Sequence, residues 1–135
     1  MIREIMEQFK KFCLIGGLGF VVDSLFFIFL SQLTDNIMLA RLLSFWLAAS
    51  ATWFGNRIYT FSHQQFTNVI TQWCKHLLTA HISGCVNLLV FWYIKEMTYT
   101  PIAFCLGILA GLFSNYFIAS RFVYVCTKNS SINAD

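Results

Sequence analysis

Charge is what this sequence has least of. Asp, Glu, Lys and Arg make up 11% of its 135 residues, against about 25% in a soluble domain. That supply cannot cover a water-facing surface, which excludes an ordinary soluble globule. Proline occurs once, so little interrupts a helix. The five cysteines (Cys13, Cys74, Cys85, Cys105, Cys126) stand singly. No Cys-x-x-Cys or Cys/His spacing suggests a metal, and they read as small apolar packing residues. No Ser/His/Asp, Cys/His or paired-carboxylate arrangement appears, so catalytic residues, an enzyme activity and a cofactor are not expected. The net charge of +3 is accounted for by membrane topology and needs no nucleic-acid partner.

What is present is apolar. Hydrophobic residues make up 58% of the chain, 15 of them Phe, and the mean hydropathy is +0.65. Four runs are long enough to cross about 30 Å of hydrocarbon at about 1.5 Å per helical residue. They span about residues 12–33, 37–55, 76–95 and 102–120. Their continuity argues against barrel strands, which alternate. The expected fold is an all-α integral membrane protein of one domain, residues 1–135, with four transmembrane helices arranged as two hairpins. The longer, polar middle link, about 58–75, has room for an interfacial helix.

Lys and Arg flank one side. Arg3, Lys10 and Lys11 precede the first run, Arg57 and Lys75 bound the middle link, and Arg121 and Lys128 follow the last. The opposite side has Asp35, Arg41, Lys95 and Glu96. Both termini and the middle link are therefore expected in the cytoplasm. Glu4, Glu7 and Asp23 argue against a cleaved signal peptide.

The chain also repeats. Slid by 64 residues without gaps, Gln8 meets Gln72, Lys11 meets Lys75, Val22 meets Val86, Thr34 meets Thr98, and Arg57 meets Arg121. Asp23 falls on Asn87 and Asn56 on Ser120. Each unit is one hairpin, so the halves share an orientation and form a parallel repeat about an axis along the membrane normal. Repeat interfaces are where transporters bind substrate.

Polar residues inside the runs are the candidate site. Asp23 lies near mid-bilayer, where a carboxylate costs about 2.5–3.5 kcal/mol on insertion scales. It is either a proton or substrate site or a buried contact that fixes packing. Arg41 either snorkels to the outer head groups or turns inward toward Asp23. Asn87 and Asn115 are amides suited to interhelical hydrogen bonds. In "ATWFGNRIYTF" Asn56 and Arg57 end the second helix, and Arg121 ends the fourth. Two readings stand for the arginines: interfacial anchors at helix C-termini, or a pair of planar forks that hold a phosphate. "GGLG" at 16–19 reads as a close-packing surface. Gly107 and Gly111 fit a helix-contact pattern, either within the chain or between chains. Four helices offer little enclosed volume, so a homo-oligomer, a dimer, is expected.

"FCLIGGLGFVVDSLFFIFL", "LARLLSFWLAASATWFGNRIYTF" and a fourth helix closing on "SNYFIASRFVYV" together resemble the GtrA-like family of small four-helix membrane proteins, over about residues 9–125. The resemblance implies a flippase that moves a polyprenyl-phosphate-linked monosaccharide from the cytoplasmic to the periplasmic leaflet of a bacterial inner membrane, for cell-surface polysaccharide synthesis. It implies that Arg57 and Arg121 capture the phosphate, that Asp23, Asn87 and Asn115 bond to sugar hydroxyls, and that Arg41 receives the phosphate near the outer side. Two alternatives remain: a small multidrug-type proton-coupled exporter, and a membrane anchor that recruits a glycosyltransferase partner.

Overall fold

The computed structural model describes residues 2–62 and 68–125. His63, Cys126 and Lys128 lie outside the described residues. The described chain forms four helices, α1 (Ile2–Leu33), α2 (Ile37–Gly55), α3 (Val69–Ile94) and α4 (Thr100–Ile118). All four are long and apolar enough to cross a membrane. The protein is an all-helical, multi-pass membrane protein.

Each boundary has a local cause. Asn36 caps α2, its side-chain oxygen accepting from the Leu39 amide at 3.0 Å, and Asn68 caps α3 by accepting from Ile70 and Thr71. Such caps satisfy backbone donors that have no partner inside the helix. The single proline, Pro101, opens α4, where its missing N–H costs nothing. Two helices start earlier than their apolar runs. Residues 2–11 extend α1 because Glu, Met, Gln and Lys are good helix formers and Glu7 pairs with Lys10 at 3.0 Å. Residues 69–75, expected in the middle link, are the first turns of α3. Hydropathy marks where a helix enters hydrocarbon and is silent on where it begins.

α2 and α4 each end in one π-helical turn, Asn56–Thr60 and Ala119–Val123. The Phe61 amide donates to the Asn56 carbonyl at 2.8 Å, and the Tyr124 amide to the Ala119 carbonyl at 2.9 Å. These matching turns bring the Phe61 and Tyr124 rings face to face, 4.2 Å between centroids. Both rings are buried.

Small residues let the helices of each hairpin approach. A Cβ on Gly107 would lie 2.9 Å from the Asn87 carbonyl oxygen, and one on Gly111 would lie 3.1 Å from the Ser83 carbonyl oxygen. The Gly107/Gly111 face is thus occupied by α3 of the same chain, which removes the helix-contact motif as the reason to expect a dimer. On the first hairpin, a Cβ on Gly19 would collide with the Thr52 side chain. The "GGLG" surface is therefore selective, since nothing lies within 4 Å of a Cβ at Gly17.

The two hairpins superpose in sequence with a change of register. Phe12, Ile15 and Gly19 of α1 correspond in burial to His76, Thr79 and Ser83 of α3, 64 residues on. Ala40, Ser44 and Ala48 of α2 correspond to Ala103, Gly107 and Gly111 of α4, only 63 residues on. One residue is lost in the second hairpin's turn. The ungapped slide is right for the first helix of each pair and one residue out for the second. On a helix that is a rotation of about 100°. Arg57 therefore corresponds to Ser120 and not to Arg121, and Asn56 corresponds to buried Ala119.

Candidate functional site

All four helices contribute to a cavity of about 290 Å3 at the centre of the bundle. Its lining obeys the repeat. On α1 and α3, Phe12 and His76, Gly19 and Ser83, and Asp23 and Asn87 line it at positions equivalent in the repeat. On α2 and α4, Ala48 answers to Gly111 and Thr52 to Asn115. Every lining residue of the first hairpin except Asn56 has its counterpart in the second hairpin's lining. The lining therefore follows the internal repeat, and all of it comes from one chain.

Its polar groups are unevenly shared. In the first hairpin the Asp23 carboxylate accepts from Arg41 at 2.7 Å and from the Ser44 hydroxyl at 2.9 Å. Asp23 is turned inward, its side chain 13% exposed, while the Arg41 side chain is 55% exposed and lies over the Phe27 ring. Arg41 thus takes the inward of its two expected courses without leaving the bundle surface. In the second hairpin the same three positions are Asn87, Phe104 and Gly107. Acid, base and hydroxyl are all absent there, and Asn87 packs on the bare backbone of Gly107.

Two cavity oxygens have no hydrogen-bond partner although they are buried, the Ser83 hydroxyl and the Asn115 carbonyl. Native interiors rarely leave such atoms unpaired. Asn56, by contrast, spends its side-chain oxygen on Thr60 at 2.8 Å.

Toward the end that carries the chain termini, His76 closes the cavity. Its ring nitrogens lie 3.2 Å from the Tyr124 hydroxyl and 3.4 Å from Thr52. The hairpins are tied here by a related pair of contacts. The Trp53 indole donates to Gln72 at 3.3 Å, and Tyr116 donates to Gln8 at 3.4 Å. Trp53 and Tyr116 are equivalent on α2 and α4, as are Gln8 and Gln72 on α1 and α3. Arg57 also donates to Gln72 and stacks near Trp53. Arg121 is exposed. Neither arginine lines the cavity.

Of the seven sequence candidates, the cavity brings together Asp23, Asn56, Asn87 and Asn115, with Arg41 bound to Asp23. It does not gather Arg57 and Arg121 into a symmetric pair. Ser83, His76 and Ser44 were missed. The slide pairs Ser83 with Gly19 and His76 with Phe12, and neither pairing marks a polar site. Among the described residues no group of three or more His, Cys, Asp or Glu side chains stands close enough to hold a metal.

Four spanning helices around a mainly apolar cavity that carries a few polar side chains define a multi-pass membrane protein. The family model described as GtrA/DPMS, transmembrane domain, matches residues 11–125, and the chain belongs to that family. Membership places it among membrane proteins involved in glycosyl-lipid-related processes. No curated protein matches the chain.

Proposed function

We propose that the chain is a flippase that moves a polyprenyl-phosphate-linked monosaccharide between the leaflets of a bacterial inner membrane, from the cytoplasmic to the periplasmic face. The observation that carries this reading is the pair of unpartnered buried oxygens, Ser83 and Asn115, in the same cavity as the Asp23–Arg41 ion pair. A sugar is a cluster of hydroxyls, each able to donate and accept, and would satisfy both oxygens once the two side chains turn toward the cavity. A phosphodiester carries one negative charge, and the guanidinium of Arg41 is the cation within reach of the cavity. The volume lies just below the range of about 300–1,000 Å3 usual for ligand sites. It suits one sugar ring and leaves the prenyl tail in lipid. Arg57 and Arg121 are first contacts for the phosphate at the cytoplasmic side, acting singly because the repeat does not pair them. A cationic cargo, as in a multidrug exporter, fits less well, because Arg57 and Arg121 stand where the second and fourth helices end.

The test is reconstitution. Purified protein is placed in liposomes containing hexosyl phosphoprenyl lipids, and a membrane-impermeant reagent reads how much sugar faces outward. Exposure of the inner-leaflet pool well above the rate of empty liposomes is expected. A rate equal to that of empty liposomes, for every hexose tried, removes the flippase reading and leaves a partner-recruiting role.

A further inference from the structure

The ion pair at the cavity wall poses a problem for any anionic cargo. Arg41 and Asp23 neutralise one another at 2.7 Å. A phosphodiester that takes Arg41 leaves Asp23 as a carboxylate without its cation, out of water and beside a second negative charge. That is a costly arrangement in a low-dielectric interior. The cost vanishes when the carboxylate gains a proton.

The surroundings of Asp23 accommodate both forms. Ser44 is fully buried and has one hydroxyl proton with two acceptors in range, the Asp23 carboxylate at 2.9 Å and the Arg41 backbone carbonyl at 3.0 Å. With Asp23 charged, the hydroxyl donates to it. With Asp23 protonated, the hydroxyl turns to the Arg41 carbonyl, and its oxygen is free to accept the new carboxyl proton. The second hairpin supplies an internal comparison. Where Arg41 is replaced by Phe104, the acid is replaced by neutral Asn87 and the hydroxyl by Gly107. Without the base, that half of the cavity carries no titratable group at this level.

We propose that the phosphodiester displaces the Asp23 carboxylate from Arg41 and that Asp23 takes up one proton from water as it does so, which makes headgroup binding proton-coupled. Charge is conserved at the site. A neutral Arg41–Asp23 pair becomes a neutral Arg41–phosphodiester pair beside a neutral carboxyl, and the proton returns to water when the cargo leaves. The inference rests on the phosphodiester reading above. The other groups facing this space are few. Arg41 of α2 reaches Asp23 from outside the lining, and α3 presents neutral Asn87 and, toward the terminal end, His76. α4 presents Asn115, and α1 adds no other titratable residue to the lining. His76 is the competing proton acceptor.

The experiment uses the full chain in phosphatidylcholine nanodiscs and, as probe, a short-chain prenyl phosphodiester of glucose, whose single charge is fixed. Binding is measured between about pH 5 and 8, with proton uptake read in weakly buffered solution. Binding is expected to tighten as pH falls, approaching tenfold per pH unit where about one proton is taken up per ligand bound. Asp23→Asn abolishes the slope and the uptake, and His76→Phe, which copies Phe12 at the equivalent position, keeps both. Asp23→Asn combined with Arg41→Phe reproduces the second hairpin's pair and controls for folding. Binding by the unmodified chain that is independent of pH and releases or takes up no proton overturns the coupling alone. So does a slope that survives Asp23→Asn and disappears in His76→Phe. No binding at any pH overturns the coupling and the phosphodiester reading together.

Discussion

Ser83 and Asn115 are unusual residues because nothing within the described protein uses their buried oxygens. A structural role would leave a different trace, for an internal hydrogen bond would be visible and its loss would destabilise the fold. Ser83→Ala and Asn115→Ala break no internal bond through these atoms. Each variant is expected to keep or raise its thermal midpoint in detergent. Each is expected to lose roughly tenfold in cargo binding or transport per inserted molecule, the equivalent of about 1.4 kcal/mol. A fall in midpoint with transport intact would assign them to packing instead. Asp23, Asn87 and Asn115 were legible in the sequence because a carboxylate or amide inside an apolar run is conspicuous. Ser83 and His76 were not. Serine is common in membrane helices, and His76 stands at the very start of the third apolar run. Which face a small polar residue occupies is decided by helix rotation, and composition does not report rotation.

At the scale of elements, the hairpin is the unit, and close backbone approach builds it. Gly107 and Gly111 sit against the carbonyl oxygens and Cβ of α3, whereas a Cβ on Gly17 or Gly84 meets nothing within 4 Å. Gly107→Ala and Gly111→Ala are each expected to cost about 1–3 kcal/mol, since backbone cannot move aside as a flexible side chain can. Gly17→Ala and Gly84→Ala are expected to be nearly neutral. Thermal unfolding of the four variants in one detergent checks the ranking, and equal losses at all four would contradict it. The helices themselves were readable from hydropathy. Their first turns were not, at residues 2–11 and 69–75, because polar helix formers extend a helix beyond the hydrocarbon. The register between halves was half readable. Asp23 on Asn87 is correct, but Arg57 on Arg121 is a turn-length artefact, produced by one residue missing between α3 and α4.

The whole molecule reads as two hairpins around one axis, with shared architecture and divided chemistry. Phe12 and Phe61 meet edge to face in the first half, and His76 and Tyr124 meet the same way in the second. Trp53 reaches Gln72 in one direction between hairpins, and Tyr116 reaches Gln8 in the other. Symmetry closes the bundle, and the departures from it are the Asp23–Arg41 ion pair on one side and the unpartnered oxygens of Ser83 and Asn115 on the other. The central claim is that a glycosyl headgroup passes through this cavity. The most direct test is photo-crosslinking of the full chain in nanodiscs with a prenyl phosphodiester whose sugar ring carries a diazirine, followed by mapping of the modified peptides. The account predicts modification at lining positions such as Ala80, Gly84, Ile108 and Leu112, suppressed by excess unlabelled lipid. Modification confined to lipid-facing positions such as Leu88, Leu89 and Trp92, with the lining untouched, would contradict it.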